Sequence, residues 1–424
     1  MKILLINIRY VYMGGPERYM FNLKHILEEK GHTVIPFSIH YPKNQHSEYE
    51  EFFAPPIADE ESILYKDQKW NLKSFIKTIE RNFYSQEVED KLTALIDHVK
   101  PDFAIVLQYL RKLSPSVLVA LSNKRISFIV RLSDYGLICP SHNLFRDDSI
   151  CELCTTGNLI NSIRYKCVHN SFGASTVNYL ATKYHHSKKY FDLINHFVSP
   201  SKALIQKFVE SGWSKERFSH LPTFANLPVR ITHSEKEPKI VYAGRLEYVK
   251  GVHLLLESIQ LLKERSKLNF TLKIAGSGSA YYVESLKSYC VTKNLREVEF
   301  LGELEKDALF DLYESSVASI VPSLWYDNLP NSALESLSLG TPVIAPNHGC
   351  FPEFVFDGEN GFLFKPCDAT DLAEKIYSIF SSNTDITRMK ENAISSIKSN
   401  FSAELHYKRL MDIIEKVKSN SKSA

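Results

Sequence analysis

Short apolar runs rich in β-branched and aromatic residues alternate along this chain with longer stretches in which apolar positions recur every three to four residues. The first kind reads as buried strands and the second as amphipathic helices, and their alternation predicts βαβ units on a parallel sheet. In the first half the strand runs are KILLINI (2–8), TVIPFS (33–38), DFAIVLQ (102–108), RISFIVRL (125–132) and INHFVS (194–199), with helices such as Glu17–Lys30 and Lys202–Ser211 between them. The pattern then restarts with KIVYAG (239–244), NFTLKIAG (269–276), EVEFLG (297–302), ASIVPS (318–323), TPVIAP (341–346) and NGFLF (360–364). Helices are expected near 252–265, 281–293, 306–315, 330–339 and 369–381. Between the halves, LPTFANLPVRITHSEKEPK (221–239) carries three prolines and little periodicity, as a linker would.

The fold class this predicts is α/β: two Rossmann-like, doubly wound domains facing a central cleft, residues 1–225 and 226–402, with a last amphipathic helix from 403 to 424 set to pack back on the first domain. A length of 424 residues agrees, since one core seldom organises so long a chain. Ligands of such sheets bind at the carboxyl ends of the strands.

Composition narrows the partners. With 44% hydrophobic and 24% charged residues and a net charge of +2, nothing draws the whole chain to nucleic acid. MKILLINIRY is too short an apolar run for an export signal, is cut by Arg9, and reads as a strand; no other stretch approaches a spanning helix. Seven cysteines, an odd number, fit a reducing cytoplasm better than a disulfide framework.

Three stretches carry candidate chemistry. Gly-rich turns follow two strands, MGGPER with Gly14 and Gly15, and GSGSAY with Gly276, whose last position is Tyr281 where a full dinucleotide fingerprint needs a small residue. AGRLEYVKG places Arg245 and Lys250 beside Gly244 and Gly251 at a strand-to-helix junction, a fork plus a point charge suited to a diphosphate. WYDNLPNSALE begins a helix with Asn328 or a neighbour as cap and Pro330 in the first turn, so the amides from Leu329 through Asn331 to Ser332 would meet a phosphate or a sugar hydroxyl. Asp327 precedes these amides and Glu335 lies more than a turn beyond, placed to accept hydroxyls on either side of the phosphates.

These motifs in this order resemble the retaining GT-B glycosyltransferases of family 4, the glycosyl transferases group 1. The resemblance covers nearly the whole chain through GGPE (14–17), the G-R-L…K-G loop (244–251), the G-x-G turn (276–278) and an E-x7-E signature read here as Asp327 to Glu335. PSLWYDNLPNSALE and DYGLICPSHNLFRDDSICELC look closest to capsule, O-antigen and exopolysaccharide transferases. The resemblance implies transfer of a sugar, with retention, from a UDP- or GDP-sugar to a hydroxyl of a glycan or a polyprenyl-diphosphate-linked oligosaccharide. It assigns the donor diphosphate to Arg245 and Lys250, the ribose to Glu335, and the donor sugar to Asp327 and the amides after it, with Gly14 and Gly15 closing over the phosphates. It requires no metal or other cofactor for catalysis, and the chain shows no Asp-x-Asp metal motif in these segments.

Two departures stand out. The first acid is aspartate, one methylene short, and Leu132-Ser133-Asp134-Tyr135 has Ser133 where relatives often have histidine, which leaves Asp134 as the polar candidate. Two segments keep two readings each. Cys139, Cys151, Cys154 and Cys167 are either ligands of a structural zinc or four reduced thiols. YLATKYHHSKKYF (179–191) is either a basic aromatic helix lying on an anionic membrane, with the protein peripheral on its inner face, or a solvated helix face. A nucleotide-sugar epimerase or a non-catalytic nucleotide-sugar-binding protein is the alternative function; an oxidoreductase is disfavoured because TVIPFS ends in Ser38 rather than an acid.

Overall fold

A computed structural model describes residues 1–58, 72–224, 237–266, 268–381 and 383–423. The middle of the expected linker, 225–236, lies outside the described residues. The chain divides into two compact units. The first comprises Met1–Asn143, Glu152–Pro222 and Glu404–Ala424, and the second Leu144–Cys151 and Thr223–Ala403.

In chain order the strands are β1 (Lys2–Ile6), β2 (Thr33–Phe37), β3 (Phe103–Val106), β4 (Phe128–Arg131), β5 (Phe145–Arg146), β6 (Ser149–Ile150), β7 (His196–Ser199) and β8 (Phe218–His220). The second unit continues with β9 (Glu237–Ala243), β10 (Thr271–Ala275), β11 (Val298–Gly302), β12 (Ser316–Ile320), β13 (Val343–Pro346) and β14 (Gly361–Phe364). The first unit's six-stranded sheet runs β2-β1-β3-β4-β7-β8 and the second's β11-β10-β9-β12-β13-β14. Every pairing in both is parallel. Strands buried on both faces read as unbroken apolar runs, and β3 and β4 are buried at every position. Pro36, which cannot donate to a ladder, falls on the edge strand β2.

Each sheet reverses its strand order once, between β1 and β3 in the first unit and between β9 and β12 in the second. At such a switch point the flanking loops diverge and leave a crevice outside the carboxyl ends of the strands. The short hairpin β5–β6 clusters with the second unit although its neighbours in sequence belong to the first. Neither it nor β8 is among the strands expected from the pattern, since two or three residues show no period.

The helix Ala403–Ser423 belongs to the first unit. It buries Leu410, Ile414 and Val417 and fixes His406 between the Tyr19 hydroxyl, 3.1 Å from Nε2, and the Pro222 carbonyl, 2.7 Å from Nδ1. Burial pushes His406 down to about 3, and His185, His196 and His220 of the same unit to about 4. Because these folded values lie below the unfolded value of about 6.5, the unfolded chain holds more protons between the two, so the stabilisation is full above about pH 6.5 and is lost as pH falls toward 4. The denaturant midpoint of the first unit should therefore drop between about pH 7 and about pH 5, above the carboxylate range, and His406→Gln should make the drop shallower. A wild-type midpoint independent of pH over that interval would contradict the burial of these imidazoles.

Candidate functional site

Two βα loops meet at the β9/β12 switch point. After β9 the chain passes Gly244 and Arg245 into a 3-10 turn, Tyr248–Lys250, and Gly251 then starts the helix Val252–Arg265 at a φ of 71°. A Cβ on Gly251 would stand 1.9 Å from the Pro322 carbonyl oxygen in the loop after β12, so only glycine lets the two backbones touch. The Leu324 amide donates to the Val249 carbonyl at 3.0 Å across the same contact. The approach delivers the Lys250 Nζ to 2.6 Å from Asp327 Oδ2, which also accepts from the Ser323 hydroxyl at 2.8 Å. Asp327 is only 7% exposed. Burial would raise its carboxyl, but the Lys250 ammonium, joined by the Ser323 hydroxyl and the Asn328 amide, holds it below the ordinary carboxylate value. Lys250 Nζ also stands 5.3 Å from the centre of the Trp325 ring.

The other expected donor residues lie on the same strand ends. Gly276, at a φ of 138°, would place a Cβ 1.8 Å from the Gly244 carbonyl oxygen, so this glycine lets the loops after β9 and β10 pack backbone to backbone. Arg245 is exposed and pairs with Glu247 at 2.7 Å. The helix carrying Glu335 runs Asn331–Ser338. Its cap is Pro330 rather than Asn328, and no side chain caps it. Leu329 adopts a φ of 58° and its amide donates to Cys350 Sγ at 3.1 Å, so of the amides expected to face a ligand this one is already engaged. Glu335 lies half-buried on this helix.

In the first unit, Gly14 and Gly15 stand at the start of the helix Gly15–Glu29, where the buried Glu17 accepts from the Gly14 amide at 3.2 Å and from Arg9 at 3.1 Å. Asp134 follows β4 and accepts from the Gly136 amide at 2.7 Å. Its Oδ2 lies 3.0 Å from Nδ1 of His142, a residue the sequence reading did not single out. Burial would raise Asp134, but the His142 ring, the Gly136 amide and the Arg111 charge bring it below the usual value. An ionised carboxylate only accepts, so Nδ1 carries the hydrogen, and in the neutral ring Nε2 is the acceptor. Nε2 is buried without a hydrogen-bond partner. A Cβ on Gly136 would come within 2.8 Å of both Asp134 Oδ1 and His142 Nδ1, so the missing side chain makes room for the pair. His142 itself sits at a φ of 71°, a conformation that costs about 1–2 kcal/mol for a residue with a Cβ. An imidazole eight residues after Asp134 thus comes to the loop where Ser133 replaces the expected one. The signal in the sequence was the lone histidine in CPSHN, which spacing alone does not tie to Asp134.

Among the described residues no group of three or more His, Cys, Asp or Glu is placed to hold a metal ion. Cys151 clusters with the second unit, whereas Cys139, Cys154 and Cys167 cluster with the first, and none is in a disulfide. The segment 179–191 continues the helix Phe172–Ser187, but His185 is buried on it, its Nε2 2.9 Å from the Phe83 carbonyl.

A buried ion pair is weak evidence of net stability, yet removing one partner strands the other charge. Lys250→Met should cost the second unit about 3–5 kcal/mol in denaturant unfolding, and adding Asp327→Asn should return a large part of it. Since Asp327 titrates lower folded than unfolded, its contribution is full at neutral pH and is lost only as pH falls through the folded value below the carboxylate range. Equal stabilities for wild type and Lys250→Met at pH 7 would mean that the pair is not buried as described.

Residues 224–396 match the family model for glycosyl transferases group 1. A glycogen synthase of Mycobacterium tuberculosis is 31% identical over 165 residues, 38% of this chain and 39% of that protein, so the chain spans about two fifths of the length of such curated relatives. Two solved structures resemble the chain almost end to end. Sucrose-phosphate synthase from Thermosynechococcus elongatus superposes with a TM-score of 0.69 at 16% identity over 99% of each chain. Anabaena HepE in complex with UDP and glucose superposes at 0.63 and 16%, over 98% of this chain and 99% of its own. At these identities the likeness shows the fold, which is GT-B, an α/β pair of Rossmann-like domains. Over residues 224–396 the chain is therefore similar to the glycosyl transferases group 1.

Proposed function

We propose that this protein is a retaining glycosyltransferase that moves a sugar from a UDP- or GDP-sugar, bound by the second unit, to a hydroxyl of a glycan or lipid-linked oligosaccharide bound by the first. The observation that carries the reading is the Lys250–Asp327 pair at the β9/β12 switch point, inside the segment that matches the family. An ammonium has three donors; Asp327 takes one and fixes the direction of the others, which can meet diphosphate oxygens together with the Arg245 fork. The amides of Asn331 and Ser332 at the first turn of the Asn331–Ser338 helix add positive potential toward the same ligand, and Glu335 receives the ribose hydroxyls.

In this reading the departing diphosphate takes the acceptor proton on the face it leaves, so no protein nucleophile and no metal is needed. The catalytic work is stabilisation of charge on the leaving group by Lys250, Arg245 and the helix start. His142, oriented by Asp134, accepts a hydrogen bond from a substrate hydroxyl through Nε2. The UDP and glucose bound in the Anabaena structure support the donor class. The resemblance of PSLWYDNLPNSALE to capsule and O-antigen transferases supports a place in cell-surface polysaccharide synthesis.

Among the described residues no helix is long and apolar enough to cross a membrane. Contact with an anionic membrane surface from the cytoplasmic side is supported by exposed Phe172 and Leu180 on the helix that carries Lys183, with Lys188 and Lys189 following it.

Incubation with a panel of UDP- and GDP-sugars and a glycan acceptor, read by NMR of the product, should show one donor consumed with its anomeric configuration kept. Lys250→Met should lower kcat/KM by about a hundredfold or more. Binding without turnover would favour the non-catalytic alternative, and an inverted product would overturn the retaining mechanism.

A further inference from the structure

Asp134 and His142 border a cavity of about 240 Å³ in the first unit. Its walls come from the chain after β1, the loop after β3 and the loop after β4, three adjacent strand ends at that sheet's switch point. Tyr109, on the loop after β3, lines the same cavity. The residue is only 4% exposed, and its hydroxyl is buried with no hydrogen-bond partner. Burial and the Asp134 charge push the phenol up from its ordinary value, so it keeps its hydrogen and remains a donor. His142 supplies the opposite: with Nδ1–H given to Asp134, Nε2 of the neutral ring is an acceptor, and it too is buried without a partner.

The cations that share this wall are engaged by the protein itself. Arg9 donates to Glu17 at 3.1 Å, Arg131 donates to the Ser133 hydroxyl at 3.3 Å, Arg111 donates to the Pro140 carbonyl, and Lys112 has a partner as well. Buried polar atoms are normally satisfied, so a donor and an acceptor that no protein group meets, on one cavity, call for a group that enters it. Their opposite sense selects the group. A hydroxyl both accepts and donates. A carboxylate, or a phosphate monoester near neutral pH, offers oxygens that accept and would set one of them against Nε2. An ammonium only donates and would leave the Tyr109 hydrogen unmet.

We propose that Tyr109 and His142 form a hydroxyl-recognition site for a neutral sugar unit of the acceptor, whose hydroxyls accept from the Tyr109 phenol and donate to His142 Nε2. The inference rests on the reading that the first unit takes the acceptor. Tyr109 is then a specificity-determining residue. A site built to hydrogen-bond a hydroxyl rejects an analogue that lacks it, because its own buried groups are left unpaired.

The test is calorimetric binding of the methyl glycosides of glucose, galactose and mannose, of their monodeoxy derivatives and of inorganic phosphate to the full chain, with UDP and GDP titrated in parallel. At least one glycoside should bind the wild type, and its derivative lacking one particular hydroxyl should bind about tenfold more weakly or worse. Tyr109→Phe should weaken the parent glycoside by a similar factor and that deoxy derivative hardly at all, since one hydrogen bond is lost only once. His142→Ala should show the same pattern for the same or a neighbouring hydroxyl. A phenol hydroxyl without a protein partner contributes nothing to the fold, so Tyr109→Phe should leave the denaturant midpoint of the first unit unchanged or raise it.

The proposal is overturned if no glycoside binds, if phosphate binds as tightly as the glycosides in a manner that Tyr109→Phe abolishes, or if Tyr109→Phe leaves glycoside affinity unchanged. It is also overturned if Tyr109→Phe lowers the midpoint and weakens parent and deoxy ligands alike, which would make the hydroxyl structural. UDP or GDP binding while no glycoside binds would sink this inference and leave the proposed function standing. Glycoside binding that depends on Tyr109, without any nucleoside diphosphate binding, would do the reverse.

Discussion

The second unit is organised by a contact between two backbones. The loops after β9 and β12 come so close at Gly251 and the Pro322 carbonyl that a single Cβ would block them. That approach buries the Lys250–Asp327 pair, which in turn sets where the ammonium points. The cost of such a pair is desolvation, and its return is direction rather than stability. The same packing recurs at Gly276 against the Gly244 carbonyl, so the glycines of these loops are explained by close approach before any ligand is considered. A ligand site built on strand ends and locked loops is pre-organised, and that is the condition for stabilising charge on a leaving group without reorganising at the moment of reaction.

The first unit follows the same rule with different chemistry. Its switch point is lined by cations where the second unit's holds an ion pair, and a polar dyad there, Asp134 with His142, is held by a glycine that yields space. Both sites fall where each sheet reverses its strand order, although the orders differ. The first unit has its second strand outside its first, and the second unit its third and second outside its first. Topology therefore fixes where a ligand can bind in each unit, and the residues on the loops fix which ligand.

Much of the fold was legible because a strand buried on both faces has to be written as an unbroken apolar run. KILLINI, DFAIVLQ and TPVIAP each contain their strand with no more than two residues trimmed from either end. Hydrophobic pattern says nothing about segments too short to show a period, so β8 and the β5–β6 hairpin went unread. Spacing along one loop was legible, as with Arg245 and Lys250, which both fall in the turn between β9 and the next helix. The site was not legible where partners come from different turns: the Asp134–His142 pair, the Leu329 amide claimed by Cys350, and the helix start at Pro330.

The account turns on the claim that the Lys250–Asp327 junction is the donor diphosphate site. Isothermal titration of UDP, GDP and ADP against wild type, Lys250→Met and Asp327→Asn tests it most directly. The account predicts that one nucleoside diphosphate binds the wild type, that Lys250→Met weakens it by about tenfold or more, and that Asp327→Asn, which leaves the ammonium in place but no longer aimed, weakens it less. Equal affinity in all three proteins would contradict it.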